Sequence, residues 1–228
     1  MSTLSPVLLV LGAGPNVGAA VAKAFAAKGY KVALASRKAK EEESSQDELY
    51  ISCDLSDPTS ISAVFTKVKE TLGVPSVVVY NAAAASRADL QDPLSMPLAE
   101  FNQELSINTT SVFAAAQQAA KGFAELPAEA SKTFIFTGNI LNTKVFPPLL
   151  SLGVGKAATA HLIEYLAGAY PFNGYKFYYA DQRKIDGSPI YVGIDGEAHG
   201  EFYVGLAELK SQGHWHQTFV KDVGYHRF

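Results

Sequence analysis

The stretch Val7-Leu8-Leu9-Val10-Leu11, followed directly by Gly12-Ala13-Gly14-Pro15-Asn16-Val17-Gly18, decides the fold. An apolar run of strand length feeds a glycine loop, and the loop opens an Ala-rich helical stretch. Strand, glycine turn and helix N-terminus in that order make a cradle for a pyrophosphate. Glycines let the backbone approach the phosphates, while unpaired N–H groups and the positive end of the helix dipole face them. The spacing is G-x-G-x-x-x-G rather than the commoner G-x-G-x-x-G, so the loop needs support from the rest of the chain.

Outward from that loop, strand and helix patterns alternate. The first helix is expected over residues 16–28, with Val17, Val21 and Phe25 on one face and Gly29 placed to end it. Strands are expected at 31–35, 50–53, 76–80, 133–137, 176–179 and 217–220. Helices are expected after Asp57-Pro58, from Pro97 toward Phe123, around Lys156 and over about 197–210. Residues 37–46 form a polar run that reads as a solvated loop or a worn-down helix. The alternation predicts a doubly wound, Rossmann-type α/β fold: a parallel sheet of about seven strands with helices on both faces. The length fits a single dinucleotide-binding domain over residues 1–228.

Composition narrows the function classes. Hydrophobic residues make up 48% of the chain, enough for a sizeable core, and the net charge is −3. That balance gives no footprint for nucleic acid or an anionic membrane surface. No stretch approaches the roughly 20 apolar residues that span a bilayer. The N-terminus lacks a basic leader, so the expectation is a cytoplasmic protein. Cys53 is the only cysteine, which excludes a disulfide framework and a thiolate metal site. It reads as a small buried hydrophobe. His214-Trp215-His216 places two imidazoles on one side of a strand, yet no further ligand follows at metal spacing, so no metal is expected. Asp195 reads as the N-cap of the last helix, which leaves His199 a minor catalytic candidate.

The expected strand ends carry the candidate ligand contacts. The second strand ends in Ser36-Arg37, where an acid would bind the adenosine ribose of NAD. A guanidinium there suits a 2′-phosphate, hence NADP rather than NAD, unless Arg37 is only a surface arginine. Asp54 and Leu55 follow the third strand, and Asn81-Ala82-Ala83 follow the fourth. Small residues there let the backbone lie against a planar ligand.

These pieces together resemble the short-chain dehydrogenase/reductase family over nearly the whole chain. Gly12, Gly14, Asn16, Val17 and Gly18 stand in its T-G-x-x-x-G-x-G loop, with Asn16 in place of the middle glycine. Asp54 matches the acid placed on the adenine ring, and Tyr80-Asn81-Ala82-Ala83 stands in for N-N-A-G. Asn108 matches the helix asparagine that orders a relay water, and Asp222-Val-Gly-Tyr225 looks like the closing D-G-G-Y. The resemblance implies hydride transfer between a nicotinamide and a carbonyl or alcohol. Lys156 matches the family lysine, which also bonds the nicotinamide ribose.

Two other positions depart from the pattern. Four residues before Lys156 stands Leu152 in place of the family tyrosine, and thirteen before that stands Asn139 in place of serine. Leucine has no proton to give, so the usual mechanism does not carry over. Asn139 reads either as a carbonyl hydrogen-bond donor or as a strand-end turn residue. Where the family commonly has Pro-Gly after the sixth strand, this chain has Ala180-Asp181-Gln182-Arg183. Asp181 then reads as a replacement proton donor and Arg183 as an anion binder, or the two form a loop salt bridge. The candidate catalytic set is therefore Asn108, Asn139, Lys156 and Asp181.

Three activities stay open. The preferred one is an NADP-dependent reductase of a small organic carbonyl, with water held by Asn108 and Lys156, or Asp181, giving the proton. The others are a dinucleotide-binding sensor without redox turnover and a scaffold recruited for a non-redox step. The resemblance also implies a homodimer or homotetramer paired through the helices after Pro97 and around Lys156. The segment after the sixth strand is short, so any substrate lid is small.

Overall fold

A computed structural model describes residues 5–228. Its strands join one sheet in the order β3-β2-β1-β4-β5-β6-β7-β8. The strands are β1 (Val7–Leu11), β2 (Lys31–Ser36), β3 (Glu48–Ser52), β4 (Val77–Tyr80), β5 (Thr133–Thr137), β6 (Lys176–Arg183), β7 (His216–Val220) and β8 (Gly224–Tyr225). All neighbours pair in parallel except β7 and β8. The order reverses between β2-β1 and β4, and a crevice at the carboxyl ends of the strands follows from that switch.

The helices are α1 (Val17–Ala26), α2 (Ser60–Thr71), α3 (Leu98–Leu105), α4 (Ser111–Phe123), α5 (Leu150–Ala169) and α6 (Gly196–Glu208). β1 shows why a continuous apolar run is needed at the centre. Leu9 and Leu11 join a cluster with Ile61, Val112 and Ile163 of α2, α4 and α5. Leu8 and Val10 pack with Val21 and Phe25 of α1 and Tyr203 of α6. Both faces are covered, so every residue of β1 is buried. Each such aliphatic or aromatic side chain contributes about 1.5–3 kcal/mol of burial.

Three features differ from the expectation. The sheet has an eighth, antiparallel strand, because Asp222 takes a positive φ and turns the chain back onto β7. The polar run 37–46, by contrast, agrees with the solvated-loop reading: only a 3-10 turn, Glu41–Glu43, lies between β2 and β3. Its three glutamates and flanking lysines have no apolar face to bury.

The second difference bears on the site. β6 runs on through Asp181, Gln182 and Arg183, which the sequence places in a loop. They pair with Thr218, Phe219 and Val220 of β7. Asp181 and Arg183 sit two apart on one face and neutralise each other, which lets charged residues continue a buried strand. The long helix after Pro97 is likewise interrupted, by a π-helical turn at Ser106–Thr110 between α3 and α4. Tyr80 Oη donates to Ile107 O at 2.6 Å beside that turn.

Candidate active site

The glycine loop has distinct jobs for its glycines. Gly12 has φ 89°, and a Cβ on it would lie 2.4 Å from Ala82 N. A Cβ on Gly18 would lie 2.8 Å from Ala13 Cα. Both glycines are therefore required by the protein's own packing. Gly14 has open space where its Cβ would be, so the protein's own packing does not require a glycine there. α1 opens with no side-chain cap; Ala19 N donates to Gly14 O at 3.0 Å, and the Val17 and Gly18 amides have no intrahelical partner.

A cavity of about 460 Å³ opens beside that loop. Gly12, Gly14, Arg37, Asp54, Leu55, Asn81 and Ala82 all line it. These candidates come from the ends of β1 to β4. Asn81 Nδ2 donates to Gly12 O at 2.9 Å, which ties β4 to the glycine loop. Asp54 accepts from Ser56 N at 2.9 Å, and this bond, with help from Arg37, holds its carboxyl below the usual range. Lys38 and Ile107 also line the cavity and were not singled out from sequence. Lys38 was legible as a second cation beside Arg37; Ile107 depends on the π turn and left no signal.

Two loop residues lie elsewhere. Val17 is buried in the α1 side of the core, so only its backbone is free to meet a phosphate. Asn16 sends its side-chain amide to Ile194 O at 2.9 Å, away from the cavity. It thereby straps the glycine loop to the segment between β6 and α6.

The catalytic candidates gather on the α5 side of the sheet, outside the residues that line the cavity. Asn108 is fully buried in the π turn. Its Nδ2 donates to Ala84 O at 2.8 Å and its Oδ1 accepts from Ala84 N at 3.0 Å, clamping the chain after β4. Its backbone carbonyl accepts from Thr159 Oγ1 at 2.7 Å. Lys156 Nζ donates to Thr137 O at 2.7 Å and lies 4.2 Å from the Phe136 ring centroid. Burial pushes the amine down to about 7, with Asp181 opposing the shift.

Asn139 Oδ1 accepts from Leu141 N at 3.0 Å, capping a 3-10 turn at the end of β5. That bond occupies the side-chain oxygen and does not use Nδ2, the donor that a carbonyl contact would need. Asp181 is buried inside β6, paired with Arg183 through both Nε, at 2.6 Å, and Nη2. Arg183 Nη1 reaches on to Gly187 O at 3.0 Å. The expectation of Asp181 in a loop is corrected: the pair is a strand salt bridge, and the carboxylate is held as an acceptor. Leu152 is buried one turn before Lys156. Asp195 caps α6 by accepting from Ala198 N at 3.0 Å, and His199 Nδ1 lies 2.6 Å from Asp195 O. His214 Nδ1 lies 2.9 Å from the backbone His216 O.

Comparisons with known proteins identify the family and the fold. The family model described as Enoyl-(Acyl carrier protein) reductase matches residues 12–176. The short chain dehydrogenase/reductase dmxR12 of Cryptosporiopsis sp. (strain 8999) is 48% identical over 98% of this chain and 95% of its own length. The chain belongs to the short-chain dehydrogenase/reductase family. The 3-oxoacyl-[acyl-carrier-protein] reductase MabA of Mycobacterium tuberculosis is 31% identical over half of this chain and 44% of its own length. Among solved structures, a 3-oxoacyl-[acyl-carrier protein] reductase from Brucella melitensis has a TM-score of 0.78 at 19% identity, covering 90% of this chain and 91% of its own. A metagenomic short-chain oxidoreductase in complex with NADP has a TM-score of 0.75 at 20% identity, covering 94% of this chain and 98% of its own. Those two establish the Rossmann-type fold. This family member is thus an oxidoreductase by relationship. Among the described residues, no helix is long and apolar enough to cross a membrane.

Proposed function

We propose that this chain is an NADP-dependent reductase of a small organic carbonyl that works without the family's tyrosine. The observation that carries the reading is the cavity at the β1–β4 ends, where Gly14, Arg37, Lys38 and Asp54 converge. These residues fit NADP: Gly14 and the α1 amides suit the pyrophosphate, Arg37 and Lys38 the 2′-phosphate, and Asp54 the adenine amino group. When bound, the reduced coenzyme supplies hydride to the carbonyl carbon. Lys156 of α5 reaches the end of β5 at Thr137 O and would hold the nicotinamide ribose.

The proton must then come from this chain's remaining groups. Leu152 has none, and Asp181 is engaged by Arg183. Lys156, with its amine near 7, exchanges a proton at neutral pH. It therefore gives the proton to the substrate oxygen, directly or through water ordered between it and Asn108. Fluorescence titration with NADPH and with NADH tests the coenzyme. Absorbance of NADPH, followed with a panel of carbonyl compounds, tests turnover. Preference for NADPH with slow turnover supports the reading; no binding of either coenzyme ends it.

A second reading has its own observation. Lys156 and Asp181 are engaged by protein groups, namely Thr137 O and Arg183. A sensor that binds the dinucleotide without turnover needs neither of them free. Coenzyme binding with no turnover on any carbonyl selects that reading. Either role is proposed for a cytoplasmic homodimer or homotetramer. Phe113 of α4 and Val154 and Tyr165 of α5 are exposed large apolar groups on the helices that would pair.

A further inference from the structure

The end of β5 is held at three successive residues. Thr137 is gripped from both faces of the sheet. Tyr203, of one core cluster, donates from Oη to Thr137 Oγ1 at 2.9 Å. Lys156, which lies over Phe136 of the other cluster, donates from Nζ to Thr137 O at 2.7 Å. Gly138 N then donates to Ala180 O at 2.7 Å, extending the pairing with β6. At Asn139 the Tyr179 hydroxyl replaces a strand neighbour. It donates to Asn139 O at 2.7 Å and accepts from Asn139 N at 3.1 Å. One side chain thus satisfies both backbone groups of Asn139.

The neighbours of this contact are fitted to it. Tyr179 is fully buried, and its ring lies across Gly138. A Cβ on Gly138 would fall 2.0 Å from Tyr179 Cε1, so only glycine lets the hydroxyl reach past it to Asn139. Burial raises the phenol above the usual tyrosine range, so the hydroxyl keeps its proton at neutral pH. That proton is committed to Asn139 O, which leaves Tyr179 no part as a proton donor to substrate. Its effect runs through Asn139 instead. Tyr179 fixes the Asn139 backbone, and Leu141 N holds Asn139 Oδ1 at 3.0 Å. With both ends held, the amide has one orientation. Among the described residues no acceptor takes its Nδ2, and Asn139 is only half-buried. Asn139 stands two residues beyond the carbonyl that Lys156 holds.

We propose that Tyr179 is a positioning residue for carbonyl reduction: it sets Asn139 so that Asn139 Nδ2 is a fixed hydrogen-bond donor to the substrate carbonyl oxygen. This rests on the reductase reading. A carbonyl oxygen gains negative charge as hydride reaches its carbon, so a donor already oriented toward it favours the transition state over the ground state. An amide free to turn loses part of that advantage, because it must be ordered at the moment of reaction.

Two measurements test this. The first is the steady-state rate with NADPH and whichever carbonyl compound of the panel reacts fastest. Asn139→Ala is expected to lower kcat about 10²-fold, the lower range for a lost oxyanion donor, and Tyr179→Phe about tenfold. The double variant is expected to be no slower than Asn139→Ala, since Tyr179 acts through the amide that is already gone. NADPH affinity is expected to stay within about twofold in all three, as neither side chain meets the coenzyme pyrophosphate or adenosine. The second measurement is hydrogen exchange over residues 137–143, where Tyr179→Phe is expected to speed exchange about tenfold at the Asn139 amide. A kcat for Asn139→Ala within about twofold of wild type overturns the proposal, as do additive losses in the double variant. Unchanged exchange in Tyr179→Phe overturns it as well. A wild-type chain that turns over no compound of the panel rejects the reductase reading and the part of Tyr179 in reduction with it, while faster exchange in Tyr179→Phe would still establish the grip on Asn139.

Discussion

At the scale of single residues, the glycine loop separates structural from ligand-facing roles in a way the motif alone does not. Gly12 combines φ 89° with a backbone atom 2.4 Å from any added Cβ, whereas Gly14 has nothing within 4 Å. Gly12→Ala is therefore expected to destabilise the fold by roughly 3 kcal/mol, the sum of overpacking and a strained backbone. Gly14→Ala is expected to leave the urea midpoint unchanged while weakening NADPH about tenfold, since a methyl group then meets the pyrophosphate. Equal losses of stability in both variants would remove Gly14 from the coenzyme site. The second residue-scale test concerns the proton. Leu152 lies one turn before Lys156 on the same face of α5, so Leu152→Tyr brings a hydroxyl beside the amine. Paired with Asn139→Ser, which keeps a capping oxygen for Leu141 N, it is expected to raise carbonyl reduction roughly 10²-fold, the lower range for a gained general acid. A double variant that binds NADPH and stays as slow as wild type would place the obstacle in the substrate pocket.

At the scale of elements, the π turn and α5 form one unit. A Cβ on Gly155 would lie 2.5 Å from Asn108 Cβ, and Thr159 Oγ1 holds the Asn108 carbonyl one turn later. Close helix approach at Gly155 thus sets the side chain that clamps Ala84. Gly155→Ala is expected to push α5 outward and cost about 1–3 kcal/mol by chemical denaturation, although alanine is the better helix former. A gain in stability would show the approach to be slack. The same unit explains how legible the chain was. β1, α1 and α2 were readable because hydrophobic periodicity is local. Asn81, Asp54 and Arg37 were readable because strand ends announce themselves by a change from apolar to polar residues. The end of β6 was not, since Asp181-Gln182-Arg183 reads as a loop until β7 pairs with it and the two charges cancel. The π turn was hidden because Ser106–Thr110 keeps helical composition and shifts phase only through tertiary bonds such as Tyr80 Oη to Ile107 O. The Tyr179–Asn139 contact joins segments far apart in sequence, so no local pattern could announce it.

At the scale of the whole molecule, buried ionisable groups on both sides of the sheet set how stability depends on pH. Lys156 lies on the α5 side with its amine lowered to about 7 by burial. Lys176, at the start of β6, donates to Ala207 O at 2.7 Å and to Leu209 O at the end of α6, and burial lowers it to about 8. In the unfolded chain both return to the ordinary lysine value of 10.5. Between the folded and unfolded values the unfolded chain holds more protons, so unfolding free energy rises with pH across that window. Each unit of separation is worth about 1.4 kcal/mol. Tyr80, Tyr179 and Tyr203 act in the opposite sense at higher pH. Burial raises all three, so above about pH 10 the unfolded tyrosines ionise while the folded ones do not, and stability falls. On the acid side, the carboxyls of Asp54 and Asp195 are lowered by hydrogen bonds, so their contribution disappears as pH falls below about 4. The chain is therefore expected to be most stable near pH 9–10, above the range of about pH 5–8 common to proteins. Urea midpoints measured at neutral pH, pH 9.5 and pH 11 check the shape. Lys156→Met and Lys176→Met should each flatten the rise between neutral pH and pH 9.5 without moving the alkaline fall, because the tyrosines are untouched. A curve that declines steadily from neutral pH in the parent protein would mean that both amines stay charged in the fold, and Lys156 would then have to be solvated rather than enclosed beside Thr137.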